Sequence, residues 1–289
     1  MVELTVAERS RSVVTSTQSR HFLPFQNTND MKYLFALGAA LLLLTPATFA
    51  QKTFKKAFTG SAPKVSIMIE KAEIEVSGYS GNEIQIEADG TFPGPPERAK
   101  GLKPLYNNAE DNTGIGLEIK EAGGVMTVKK ASYHQGKYKI KVPNNADVKV
   151  EIMDWNKSDL DIKDISGELE IIGKSSDIKL TNVTGPIVSN TVNGNTEVIF
   201  TKVNQNKPCH ISTINGFVDV TMPADTKAKL AMSTIHGEIY SDLDIKFASD
   251  DKTKGLTPIR RNISGASLNG GGVELTIKSI NGDLYLRKK

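Results

Sequence analysis

Three short stretches hold residues that could do chemistry. The first, DWNKSDLDIKD at 154–164, sets Asp154, Asn156 and Ser158 at alternate positions, like the start of an oxygen-rich calcium loop. An EF-hand loop needs glycine at its sixth place and glutamate at its twelfth. Those places hold Asp159 and Ile165, so the match fails. Asp159 and Asp161 share one strand face and leave open a loose cation site, although alternating charge ordinarily marks the wet side of a strand. The second stretch is Cys209-His210. Adjacent residues on a strand point to opposite faces, so the two cannot converge on one metal. The third is the glycine run 270–272, which lacks the lysine and the strand-to-helix setting of a phosphate loop and reads as a bend.

The other histidines give no more. His21 precedes an apolar segment, His134 falls in a stretch expected to be a hairpin loop, and His236 sits at a turn. No G-x-S-x-G elbow is present to present a nucleophile. The reading therefore assigns no catalytic residue, no cofactor-binding residue, no metal ligand and no cofactor.

The totals narrow the function classes. Of 289 residues, 36 are Lys or Arg and 33 Asp or Glu, for a net charge of +3. Residues 51–289 carry 32 basic and 30 acidic residues, interspersed rather than blocked, which is no footprint for nucleic acid. Aromatic content of 6% counts against a sugar-cleaving groove, where rings stack on substrate. With Cys209 alone, no intrachain disulfide can form, and a free cysteine reads as a small buried hydrophobe.

Residues 31–50, MKYLFALGAALLLLTPATFA, read as a secretory signal peptide. Lys32 supplies the positive charge, Tyr33–Leu44 the apolar run, and Thr48 and Ala50 the small residues before Gln51. The run falls short of the roughly 20 residues that span a bilayer. Because such a signal rarely starts thirty residues in, residues 1–30 read as an unstructured extension or a mis-called start. The expectation is an extracytoplasmic protein, in the periplasm or at the surface, with no membrane span after cleavage.

What must position any site is β-structure. Alternation of apolar and polar residues marks strands in 64–78, 82–88 and the segments IGLEIKE, GVMTVKKA, YKIKVP and ADVKVEIM. Two polar insertions, 90–114 and 245–262, read as loops within a single domain over 51–289. A motif then recurs: aliphatic, any residue, glycine, any residue, aliphatic or Thr. It places glycine at 167, 185, 194, 216, 237 and 282, with a weaker copy at 265. Such a period indicates stacked layers. Side-chain parity argues against a hairpin at each Asn-Gly, which would mix core and solvent on one face. The alternative lets period two run unbroken through the glycine, so that Ile214, Gly216, Val218 and Val220 all face inward, as do Ile280, Gly282, Leu284 and Leu286. Asn193, Asn215 and Asn281 look like a ligand-binding row, but His236 fills the same place, so the position calls for turn-forming ability.

With YKIKVPNNADVKVEI, STINGFVDVTMP, STIHGEIYSDL and LNGGGVELTIKSINGDLYLRK in view, the chain resembles the bacterial putative-adhesin family of unknown function, related to head-GIN-domain adhesin-like proteins. The resemblance covers residues 60–289. It implies an all-β fold, a right-handed parallel β-solenoid, exported and without catalytic residues to carry over. The expected function is a non-enzymatic adhesin-like or cell-envelope binding or structural role, with an envelope or surface protein or polysaccharide as partner. The rival is a polysaccharide-active lyase or hydrolase on a parallel β-helix; a concave cleft lined by Asp159, Asp161 and a nearby Lys or Arg would favour it. Residues near 60–90 are expected to cap one end of the stack and the tail LYLRKK the other.

Overall fold

The computed structural model describes residues 52–94, 96–102, 109–247 and 262–289. The extension 1–30, the signal segment 31–50 and the middles of both insertions lie outside the described residues. In chain order the strands are β1 (Lys52–Ala57), β2 (Lys64–Met68), β3 (Ala72–Tyr79), β4 (Glu83–Asp89), β5 (Leu117–Ala122), β6 (Val125–Lys130) and β7 (Gly136–Pro143). Next come β8 (Asp147–Ile152), β9 (Leu160–Lys163), β10 (Leu169–Ser175), β11 (Ile178–Val183), β12 (Ile187–Asn193), β13 (Thr196–Phe200), β14 (Cys209–Asn215) and β15 (Val218–Met222). The chain ends with β16 (Ala228–Ser233), β17 (Ile239–Ser241), β18 (Ile245–Lys246), β19 (Asn262–Leu268), β20 (Val273–Asn281) and β21 (Leu284–Lys288). The only helical element among the described residues is a 3₁₀ turn at Glu97–Ala99.

These strands form two sheets, one of ten strands and one of eleven. From β8 to β17 the chain alternates between them, and each strand pairs in parallel with equivalents above and below. Each layer is thus one strand from each sheet. Eight such layers stack in the order β6/β7, β2/β3, β8/β9, β10/β11, β12/β13, β14/β15, β20/β21, β16/β17. Spatial order departs from chain order at both ends. The chain's first layer and its last each lie one layer in from an end.

Antiparallel strands close the ends: β4 and β1 beyond β7, β5 beyond β6, and β19 and β18 beyond β16. The sheets are therefore mixed rather than wholly parallel. The expected caps hold in part. β4, within 60–90, closes one end together with β1 and β5, but residues 64–79 form an internal layer, and LYLRKK lies inside the stack between β15 and β17. Of the two insertions, 90–114 holds no strand among its described residues, whereas 245–262 supplies β18 and opens β19.

The core fills the space between the sheets, and the alternation of each strand explains why. In β10 the burial of Leu169, Ile171 and Gly173 alternates with half-exposed Glu170 and Ile172. Parallel in-register pairing repeats this choice in the next layer, so Val148, Leu169 and Ile187 line up, as do Ile162, Leu180, Val198, Val220 and Leu286. Fully burying one such side chain contributes roughly 1.5–3 kcal/mol, and a one-residue slip would turn a whole column to water.

Candidate functional site

Where the chain passes from the eleven-strand to the ten-strand sheet it turns a corner, tight from β10 to β15 and again between β20 and β21, and the eight corners lie one above another. At this outgoing corner Ser158, Ser176, Gly194, Gly216, Gly282 and Gly237 form a column. A Cβ on Gly194 would overlap the carbonyl of Ser176, one on Gly216 that of Gly194, one on Gly282 that of Gly216, and one on Gly237 that of Gly282. Gly194 and Gly216 also have φ of 149° and 148°, which favour glycine. The repeat thus arises from backbone packing between layers. A hydroxyl three residues before Gly216, Gly282 and Gly237 completes the join. Thr213 donates to Gly194 O at 3.0 Å, Ser279 to Gly216 O at 3.0 Å and Thr234 to Gly282 O at 2.8 Å.

The expected parity fails at this corner. Cys209, Ile211 and Thr213 point inward in β14, and Val218, Val220 and Met222 in β15, so the inward set changes from odd to even numbers across Asn215-Gly216. Ile214, Ile280 and Ile235 are 40%, 39% and 54% exposed instead of buried. The corner consumes an extra residue, and the aliphatic residue two before the glycine is turned out. Gly167 and Gly185, which share the motif, occupy the opposite corner, and Gly265 lies within capping strand β19. The 21-residue step from Gly216 to Gly237 joins layers that are not neighbours, because Gly282 lies between them. The proposed Asn row is a bonded ladder. Asn215 Nδ2 donates to Asn193 Oδ1 and Asn281 Nδ2 to Asn215 Oδ1, both at 2.7 Å. Each amide is thus engaged by its neighbour.

The turned-out side chains form one file. Lys174 lies level with Val192, Val192 with Ile214 and Ile214 with Ile280, and Ile235 follows. In the opposite direction Met153 lies level with Lys174, and Trp155 and Tyr133 extend the same edge. Six of the nine exposed large hydrophobic residues among the described residues stand here: Tyr133, Met153, Trp155, Ile214, Ile280 and Ile235. Cations cover the rings at one end, with Lys71 Nζ 4.8 Å from the Tyr133 centroid and Lys174 Nζ 5.3 Å from that of Trp155. A pocket of about 180 Å³ opens beside them, lined in part by Lys71, Lys129, Lys130 and Tyr133. Lys130 is buried there and donates to Glu70 O at 2.7 Å and Lys71 O at 3.1 Å. Burial, with help from the Lys71 charge, brings its ammonium down to about 8.

The calcium-like stretch is bound up locally. Asp154 accepts from the Asn156 backbone N–H at 3.1 Å and from its side-chain amide at 2.8 and 2.9 Å, while Ser158 is buried. No group of three His, Cys, Asp or Glu residues among the described residues is placed to hold a metal. Cys209 is buried and His210 half-buried on opposite sides of β14, as period two requires. Burial raises the Cys209 thiol and lowers the His210 imidazole. His134 lies in the connection from β6 to β7, which belong to different sheets, so no hairpin forms there.

Asp159 and Asp161 do line a groove, of about 440 Å³, on the outer face of the ten-strand sheet, with Glu73, Glu75, Lys137 and Lys179. Its carboxylates are largely matched. Lys137 lies 2.9 Å from Glu73, Lys157 2.7 Å from Asp177 and 3.9 Å from Asp159, and Lys163 bonds Glu75 and lowers its pKa. Burial pushes Asp177 up, but the Asn195 N–H and Lys157 outweigh it and leave it below its ordinary value.

No known family model matches the chain, and no curated protein is similar to it. Solved structures to which the chain is similar include the following three. A putative cell adhesion protein from Clostridium sporogenes is 9% identical, with 83% of this chain and 100% of that one covered at a TM-score of 0.42. A putative adhesin from Bacteroides fragilis is 10% identical over 82% and 97% at 0.34. A putative lipid binding protein from Parabacteroides distasonis is 12% identical over 82% and 97% at 0.30.

An aromatic stack on the ten-strand sheet escaped the sequence reading. Tyr240 lies parallel to Tyr285 at 5.4 Å, and Phe217 meets Tyr285 edge-on at 6.1 Å. Tyr240 donates to Glu238 at 2.7 Å and is pushed up to about 12; Tyr285 donates to Asp283 at 3.0 Å. The signal was present in Phe217, Tyr240 and Tyr285, each one to three residues after a repeat glycine, but it emerges only once the layer of Tyr285 is placed between the other two.

Proposed function

We propose that this protein is an exported, non-enzymatic, adhesin-like binding or structural component of the cell envelope. Its stack is read as a right-handed parallel β-solenoid with antiparallel ends, and the segment 31–50 as the signal that sends it out of the cytoplasm. One observation carries the reading: six of the nine exposed large apolar and aromatic side chains among the described residues gather on a single edge of the stack. Scattered apolar residues are ordinary on a surface, but an ordered file of them is a contact surface. A rigid layered scaffold suits this use, because each layer contacts only its neighbours and its corner residues are held in line.

The test is sedimentation of the full-length protein with isolated bacterial envelopes, beside incubation with a panel of polysaccharides. Retention lost in an Ile214→Lys, Ile280→Lys variant, without polysaccharide cleavage, is expected. Turnover would overturn the reading and favour a second one, a polysaccharide lyase or hydrolase. That alternative draws on the groove in which Asp159 and Asp161 face Lys137 and Lys179, and it requires Asp161→Asn to abolish cleavage.

A further inference from the structure

Thr191 stands three residues before Gly194, as Thr213 stands before Gly216, yet its hydroxyl makes no bond to the layer below. Ser158, Ser176, Ser189 and Thr196 share its condition. Each of the five is no more than 4% exposed, and none of their hydroxyls has a hydrogen-bond partner in the protein. No other buried side-chain oxygen or nitrogen among the described residues lacks such a partner. All five fall in three consecutive layers, β8/β9 to β12/β13.

The same layers are short of apolar volume. Gly173, on the inward face of β10, lies level with Ile152 on one side and Thr191 on the other. Ser189 lies between Ile171 and Ile211. Two small residues thus stand where neighbouring layers carry branched aliphatic ones. Thr196 likewise brings a hydroxyl between Ile178 and Val218. A Cβ on Gly173 would meet Ser176 Cβ at 3.3 Å, and both Ser176 Oγ and Thr191 Oγ1 at 3.4 Å, with nothing closer. Two of the unpartnered oxygens therefore converge on the inward side of Gly173. Thr196, two residues past Gly194, enters the same corner from β13.

We infer that this corner of the core binds water, with the hydroxyls of Ser176, Thr191 and Thr196 as its partners. The inference goes beyond the proposed contact role, which concerns the outer edge. Buried polar groups are paired with protein or with ordered water, and an internal water makes two to four bonds. What is missing at Gly173 and Ser189 is a few methyl groups, which suits water and no larger ligand. The water also has a structural task. Thr213, Ser279 and Thr234 join successive layers by donating to a glycine carbonyl, and Thr191 does not. Water bonded to Ser176 in one layer and Thr191 in the next supplies that join.

The experiment is magnetic relaxation dispersion of the water oxygen on the full-length protein. It counts waters held for longer than the molecule takes to tumble, and it does not respond to hydroxyl protons. The wild type should hold at least one more such water than a Thr191→Val, Thr196→Val variant. Valine keeps the shape of threonine and removes the oxygen, and a small apolar space stays dry. Gly173→Ala sets a methyl group 3.4 Å from both oxygens and should lose the same water. It serves if the double variant fails to fold. Urea denaturation of Thr191→Val and Thr196→Val singly gives a second readout. Hydroxyls bonded to water should leave neither midpoint above that of the wild type. Hydroxyls without any partner should raise both, because an unpaired buried oxygen has been removed. A water lost without a raised midpoint sustains the inference. An unchanged count in the variants, or a midpoint raised by either substitution, overturns it.

Discussion

Asn281 donates its side-chain amide to Asn215 at 2.7 Å across 66 residues of sequence, while Asn215 makes the same bond to Asn193 across 22. The last layer of the chain has entered a ladder built from much earlier residues and is bonded within it like any other. The glycines beside these amides fit the same order: Gly282 packs on the carbonyl of Gly216, and Gly237 packs on that of Gly282.

Adding a methyl group to Gly282 forces backbone apart from backbone, since the obstructing atom is the Gly216 carbonyl and no flexible side chain can yield. Gly282→Ala should destabilise the protein by about 2 kcal/mol or more. Gly60, with nothing within 4 Å of an added Cβ, is the control, and Gly60→Ala should stay near neutral. Urea denaturation of both variants measures the difference, and equal stabilities would contradict the packing account.

Asn215 both donates and accepts within the ladder, whereas Asn281 is shown donating once. An exposed amide bond contributes about 0.5–1.5 kcal/mol. Asn215→Ala should therefore cost about twice as much as Asn281→Ala, measured by the same denaturation.

Period two was readable wherever one strand face is buried, and the alternation in 64–78 and 82–88 became β2, β3 and β4. The parity change at the corner was not, because Ile214 and Ile280 carry the residue type of a core position and only the geometry of the turn puts them outside. Nor could local pattern separate the two corners: Ile165-Ser166-Gly167 and Ile214-Asn215-Gly216 look alike yet lie on opposite edges. The order of layers was hidden for a different reason. It is decided by contacts between distant segments, and the 21-residue step from Gly216 to Gly237 looks like adjacency until β20 and β21 come between. Of the candidate site, Asp159 and Asp161 were found from spacing, and the sequence reading placed them on one strand face. The file of Trp155, Ile214 and Ile280 was not found, since it exists only when layers are stacked.

Lys130 supplies a pH dependence whose sign can be worked out. Its ammonium falls from an ordinary 10.5 to about 8 in the folded protein. Between those values the unfolded chain holds a proton that the folded protein has released, so folding stability from this group rises as pH rises. Below about pH 8 both states are protonated and the cost of burying the charge is present in full. The wild type should therefore gain stability between about pH 8 and 10, and Lys130→Met should flatten that rise. Chemical denaturation of both proteins across the range is the measurement. A rise of equal size in the variant would assign it to other groups.

The inserted layer can be tested from within. Ile277 in β20 is fully buried and stands between Ile211 of β14 and Met232 of β16, while Cys209, also buried, pairs in register with Leu275. Ile277→Ala leaves a cavity in the one layer that joins the last strands to the rest and should cost about 2–5 kcal/mol. Cys209 then reports how the stack opens. Its thiol is shielded and its pKa is raised by burial, so a thiol reagent should reach it only through opening of the fold. If β20 and β21 separate only when the whole stack unfolds, labelling of Cys209 should accelerate by the factor that matches the global loss, roughly thirtyfold for 2 kcal/mol. Acceleration far beyond that factor would mean that the last layer withdraws from between β14 and β16 on its own, leaving the earlier layers folded. Native-state labelling followed by mass spectrometry, set beside denaturation of the same variant, distinguishes the two.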